Sequence, residues 1–329
     1  MRNLSHEPAD AGLNRRQLLP SEIETLPTVS GMLLRDPDVS TPAEGEMQAG
    51  KAQHRQRQYG TALHHFEVAY GQYADRQDAV GMGHALNAIA LTHYSLGQYP
   101  QSIAAAQQGR QIGQATGDLT IEQQALGHLG NSYRHQGDFA VAIAMMEQSL
   151  NCAETLDDNP SIITSLNNLG MAHKAKGRYD KALLYYERGL ALAADSGNVA
   201  LLKQVLRNTG NTHHALGNYK ATIRCYEQLL KIARDQMDVQ VISKILRNLS
   251  TASYMLKDYS RAIGYGQQRL ALVQQLGDLR AQEQVLESLC ISYDASGKPL
   301  EVLRCQEERL QVCIALQDNA LQCQALSSF

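Results

Sequence analysis

The sequence contains no tryptophan and only three phenylalanines, yet 43% of its residues are hydrophobic. Its apolar mass is alanine, leucine, isoleucine and tyrosine, a mixture that suits packed helices. Charge of one sign is also scarce. A net charge of −3 gives no general pull toward nucleic acid or anionic membrane. No apolar run approaches the roughly 18 residues a membrane span requires. The opening stretch, MRNLSHEPADAGLNRRQLLPSEIETLP, has no apolar signal segment. Direct membrane insertion is therefore not expected, and the chain reads as cytoplasmic. None of the six cysteines forms a CxxC pair, and four of them lie in the last 40 residues: Cys290, Cys305, Cys313 and Cys323. Small buried thiols in a reducing compartment are expected, not a zinc site.

What the sequence has is a clock. The triplet GQY at Gly97–Tyr99 returns as GDF at Gly137–Phe139, GRY at Gly177–Tyr179 and GNY at Gly217–Tyr219. Degenerate copies keep the same 40-residue spacing: RQY at 57, KDY at 257 and GKP at 297. A second marker runs in step: Asp78, Asp118, Asp158, Asn198, Asp238, Asp278 and Asp318. Asp and Asn cap helix N-termini, because the side-chain oxygen accepts an orphan backbone amide. Gly117, Gly197 and Gly277 stand one residue earlier, where a helix can close in the left-handed conformation. Each unit is thus two helices of about 16–18 residues, near 25 Å long. Small residues recur at Gly50, Ala90, Gly130, Gly170, Gly210, Ser250 and Cys290 in the first helix. In the second helix they recur at Ala62, Ser102, Ala142, Ala182, Thr222 and Ala262, with Val302 in the last unit. They let neighbouring helices approach closely.

The pattern L-x-x-L-G-x-x-Y-x-x-x-G-x-Y-x-x-A resembles the tetratricopeptide repeat, in a long form of 40 residues where 34 is usual. LRNTGNTHHALGNY, Leu206–Tyr219, looks similar to the repeats of Pins/LGN-type adaptors. Kinesin light chains and bacterial adaptors carry the same long class. The resemblance covers about residues 44–329. It implies an all-α fold: a right-handed superhelix, or α-solenoid, of about seven helix-turn-helix repeats. Residues 1–43, with five of the eight prolines, read as a flexible tail. The chain ends in the start of an eighth first helix, DNALQCQALSSF. That segment is expected to be a short cap; a homodimer contact through the open end and trimming from a longer protein are the alternatives.

Paired histidines raise the question of chemistry. His213 and His214 point about 100° apart on a helix, as do His64 and His65, so neither pair converges on one metal. His93, His173 and His213 share one repeat position and read as packing residues. No Gly-rich phosphate loop, GxSxG or HExxH occurs. No cofactor, metal or catalytic residue is expected, and the chain reads as a non-enzyme.

The resemblance places first helices along a concave face. The register gives three sets of inner positions expected to be exposed: Asn87, Gly127, Asn167, Arg207, Arg247 and Glu287; Leu91, Asn131, Met171, Asn211, Thr251 and Ile291; Tyr94, Arg134, Lys174, His214, Tyr254 and Asp294. Asn168, Asn208 and Asn248 adjoin the first set, and Lys203 and Lys244 flank their helix starts. Arg donors match carboxylates in bidentate fashion, and Asn pairs with both groups of a ligand backbone. The expectation is a scaffold or adaptor that holds an acidic, extended or helical protein segment. Arg134, Lys174, Lys203, Arg207, Lys244 and Arg247 would supply charge. Asn131, Asn168, Asn208, Asn211 and Asn248 would hold backbone; Tyr94 and Tyr254 would give apolar contact. Two alternatives stay open: an assembly factor or chaperone for a larger complex, one at a membrane included, and a regulator gated by its own tail or by a small peptide. Nucleic acid fits poorly, because the basic stripe is only partial.

Overall fold

The computed structural model describes residues 41–317 and Gln322. Among them are fourteen α-helices and no strand. First helices are α1 (Pro42–Arg55), α3 (Ala79–Ser95), α5 (Leu119–Gln136), α7 (Asn159–Ala175), α9 (Val199–Ala215), α11 (Val239–Met255) and α13 (Leu279–Ala295). Second helices are α2 (Tyr59–Asp75), α4 (Tyr99–Thr116), α6 (Phe139–Thr155), α8 (Tyr179–Asp195), α10 (Tyr219–Asp235), α12 (Tyr259–Gln275) and α14 (Pro299–Ala315). The expected fold class holds: all-α, built from repeated helix pairs as in an α-solenoid. The tail up to residue 40, the eighth first helix with its cap at Asp318, and Cys323 lie outside the described residues. Helix α1 starts two residues before the expected boundary at 44. Thr41 caps it by accepting the Glu44 amide, Glu44 accepts the Thr41 amide in return, and Pro42 sits where its missing N–H costs nothing.

The clock turns out to tick every twenty residues, at both turns of each unit. Positive φ occurs at Arg57, Gln77, Gly97, Gly117, Gly137, Asp157, Gly177, Gly197, Gly217, Met237, Lys257, Gly277, Gly297 and Gln317. Eight are glycine, and six are residues with a Cβ that resists this conformation. At twelve of these turns the following residue closes the motif by bonding back to the preceding helix, as Gln98 N–H does to the His93 carbonyl at 2.9 Å. Asp78 then serves both helices: its amide donates to the Tyr73 carbonyl at 2.9 Å, and its carboxylate accepts the Gly81 amide at 2.9 Å. Asp118, Asp238 and Asp278 do the same, and Asn198 caps its own helix by accepting the Leu201 amide. Asp158 occupies the cap position without making the bond. Pro160 removes one of the two amides such a cap would reach.

The described residues fall into two compact units, one up to His128 and one from Leu129 onward. In the first, α2 packs on α1 and α3, and α3 packs on α4. Its core includes Ala62, Phe66, Tyr73, Leu86, Ala90, Ile112 and Ile121. In the second, each helix from α6 to α14 packs on the next, and α7 also touches α9. One core cluster there joins Leu206, Tyr226, Leu229, Ile245 and Leu249. The small-residue positions are where helices meet: Ala62, Ser102, Ala142, Ala182, Thr222 and Ala262 are all fully buried. A Cβ on Gly130 would lie 2.5 Å from Met146, and one on Gly50 would lie 2.5 Å from the Phe66 ring. Val302 departs from the series and is half-buried.

Candidate peptide-binding face

The second unit brings a group of the expected residues together around one hydroxyl. Tyr226 on α10 is 2% exposed. Its O–H donates to the Asn211 carbonyl oxygen on α9, and the side chain of Asn248 on α11 acts on the same hydroxyl. The guanidinium charges of Arg207 on α9 and Arg247 on α11 also act on it. Burial raises the phenol's pKa above its usual value despite these neighbours, so the hydroxyl stays protonated and donating. Arg207 and Arg247 themselves are exposed, and among the described residues neither forms an ion pair. One core tyrosine therefore fixes the Asn211 amide, with Asn248 of the next first helix and two exposed arginines acting on the same hydroxyl.

The other expected residues divide. Lys203 is half-buried and donates to Gln236 Oε1 at 2.6 Å; Lys244 is exposed. Asn208 donates to Asn167 Oδ1 at 2.7 Å, which bridges α9 to α7. Asn168 is 8% exposed, so little of its amide faces outward. Asn131 and Arg134 on α5 are half-buried, and Arg134 contacts its neighbour His135 at 2.9 Å. Burial lowers the pKa of Lys174. Tyr254 rests against Tyr259, ring centroids 5.5 Å apart, and in the first unit Tyr94 meets Tyr99 at 5.9 Å. Both tyrosines thus lend part of their rings to the turn tyrosine five residues on.

The expected exposure of Asn87 and Asn167 is corrected: they are 3% and 1% exposed. Each amide has been drawn into the helix packing. Asn87 donates to the Ile121 carbonyl at 3.0 Å, and Asn167 accepts from Asn208. Of the histidines at the shared repeat position, His173 packs into the helix pair. His173 is 4% exposed and stacks on Tyr185 at 5.2 Å, and His214 meets Tyr219 edge-on at 5.6 Å. His65 pairs with Glu46 at 2.6 Å. Among the described residues no three His, Cys, Asp or Glu group as metal ligands do, and no helix is long and apolar enough to cross a membrane.

Register on the first helices alone could not reveal Tyr226, Gln236 or Arg269, all contributed by or beyond second helices. One signal was available for Arg269. It stands where earlier units carry Leu229, Gly189, Ser149, Gly109 and Ala69, so a cation has entered a small-or-apolar position.

Residues 122–195 and 208–236 match models of the tetratricopeptide repeat. With fourteen described helices on one forty-residue grid, the chain is a tetratricopeptide-repeat protein. No curated protein matches it. Solved structures share the fold at low identity. The signal-transduction ATPase PH0952 of Pyrococcus horikoshii, which has a tetratricopeptide-repeat sensor, superposes with a TM-score of 0.69 at 11% identity, over 86% of this chain and 44% of that one. A Rap protein complexed with competence and sporulation factor gives 0.58 at 16%, over 84% and 76%. The Rap conjugation gene regulator of plasmid pLS20, in complex with the Phr* peptide, gives 0.53 at 16%, over 88% and 82%.

Proposed function

We propose that this protein is a non-catalytic scaffold that holds an acidic segment of a partner protein on the first-helix face of its second unit. The observation that carries this reading is the group of Arg207, Arg247, Asn211 and Asn248 around Tyr226. Exposed guanidinium groups lie near an amide, that of Asn211, whose position a buried hydroxyl fixes, so a donor is held in place before a ligand arrives. The chain as a whole is net acidic, which makes a cationic face a local feature and not a consequence of composition. Rap proteins of similar fold were solved in complex with competence and sporulation factor and with the Phr* peptide, which supports a binding role for such arrays.

The test is recovery of binding partners on immobilised full chain, compared with Arg207→Glu/Arg247→Glu of unchanged helicity. Recovery should fall by roughly tenfold or more, since two charge-assisted contacts become repulsive. Undiminished recovery would exclude this face. The same Rap complexes favour a second reading, a regulator gated by a small peptide. Under it, acidic peptide added to the loaded protein should release the partner by binding a separate place, with the double variant still able to release.

A further inference from the structure

Seven units on one grid allow the chain to be compared with itself. Arg309 on α14 and Arg269 on α12 lie forty residues apart at the same repeat position, 4% and 8% exposed. In the seventh repeat the arginine is fully served by the adjoining first helix, α13. Arg309 Nε donates to Glu283 Oε1 at 2.8 Å, and its Nη2 reaches Glu283 at 2.6 Å and Glu287 at 2.9 Å. In the sixth repeat the positions of those two glutamates hold Ser243 and Arg247. Arg269 Nε has only a long contact of 3.4 Å to Ser243 Oγ, and its other neighbour is a second cation. Among the described residues neither Arg247 nor Arg269 forms an ion pair. The carboxylate whose charge acts on Arg269 is Asp278, and it is already engaged at 2.9 Å as the cap of α13.

A buried guanidinium beside another cation is costly unless an anion completes it. Burial, and then Arg247, hold the pKa of Arg269 below its usual value, which is the direction an uncompensated cation takes. The seventh repeat shows which anion the position accepts: carboxylate, met by Nε and Nη2 of the guanidinium.

We propose that Arg269 and Arg247 form a carboxylate subsite in the sixth repeat, filled by a carboxylate of the partner segment where the seventh repeat supplies its own. This rests on the scaffold reading above and adds the anchor point and its chemistry. Asn248, on α11 beside Arg247, is placed to hold the flanking ligand backbone. An aspartate or glutamate side chain and a free chain terminus offer the same group, so the test separates them.

Two labelled probes suffice, measured by fluorescence anisotropy on the full chain at about 50 mM salt. One is hexaglutamate with both ends blocked; the other is acetylated hexa-alanine with a free C-terminus. Ser243→Glu/Arg247→Glu rebuilds the seventh-repeat arrangement in the sixth. It should raise the thermal midpoint by a few degrees, because it completes Arg269, and should weaken probe binding at least tenfold. Arg269→Gln should weaken binding comparably, and the rebuilt variant supplies the answer if Arg269→Gln fails to fold. Binding of hexaglutamate assigns a side chain as the natural ligand, and binding of the free terminus assigns a chain end. Failure of both probes on wild type, or equal binding by the rebuilt variant, overturns the subsite. The scaffold reading has its own test, partner recovery with Arg207→Glu/Arg247→Glu, and Arg269→Gln, which leaves both of those arginines in place, separates failure of the subsite from failure of that reading.

Discussion

Six residues carry a local conformational cost that the repeat imposes. Met237 is 84% exposed and has φ 53°, so its side chain contributes little packing in return for a left-handed backbone. Met237→Gly should stabilise the protein by about 0.5–1 kcal/mol, the left-handed penalty less the extra chain entropy of glycine. Gly217→Ala, at φ 74°, should cost about 1 kcal/mol. Urea midpoints for the two variants moving in the same direction would refute this account of the turns. Glycine marks eight of these turns, and those are visible by residue type. The other six, Met237 and Asp157 among them, are visible only by their place on the grid, because their side chains do not mark them as glycine does. Arg269 poses the same difficulty. Its rank on the grid is readable, but that it lacks a carboxylate depends on what Ser243 and Arg247 present from another helix.

At the scale of the helix, two glycines test what close approach means. Gly170 on α7 has the Tyr186 ring where a Cβ would go, 2.6 Å from its Cδ1. Tyr186 is fully buried and has nowhere to retreat. Gly170→Ala should cost about 1–3 kcal/mol. Gly189 on α8 has its nearest neighbour, the Leu166 Cβ, at 3.5 Å, an ordinary contact. Gly189→Ala should therefore stabilise the protein by roughly 0.5–1 kcal/mol, as expected when alanine replaces glycine inside a helix. Equilibrium unfolding of both variants checks the opposite signs. Helix lengths, turns and small-residue seams were legible in the sequence because each repeats seven times and errors average out. Pairings across helices were not. Asn167 and Arg207 occupy the same position in successive repeats. One is sealed by Asn208, and the other reaches outward.

At the scale of the whole molecule, histidines whose charged form burial disfavours shape the response to acid. Burial lowers the pKa of His173, helped by Lys181, Arg178 and Lys176; burial acts in the same direction on the half-buried His54 and His213. Above the ordinary value of 6.5 these rings are neutral whether the chain is folded or not. As pH falls below it, the unfolded chain takes up protons first, so stability drops until the folded pKa values are reached. The thermal midpoint should decline between about pH 7 and 5, and His173→Gln should show a shallower decline. A flat profile for wild type would count against burial as the cause.

The scaffold reading depends on one claim, that the face around Tyr226 selects acidic segments. Selection of random twelve-residue peptides on the immobilised full chain measures this directly, whatever the natural partner is. The wild type should enrich peptides of clearly negative net charge, and Arg207→Glu/Arg247→Glu should return a pool no more acidic than the starting library. An enriched pool that is neutral or basic, or an acidic pool that survives the charge reversal, would contradict it.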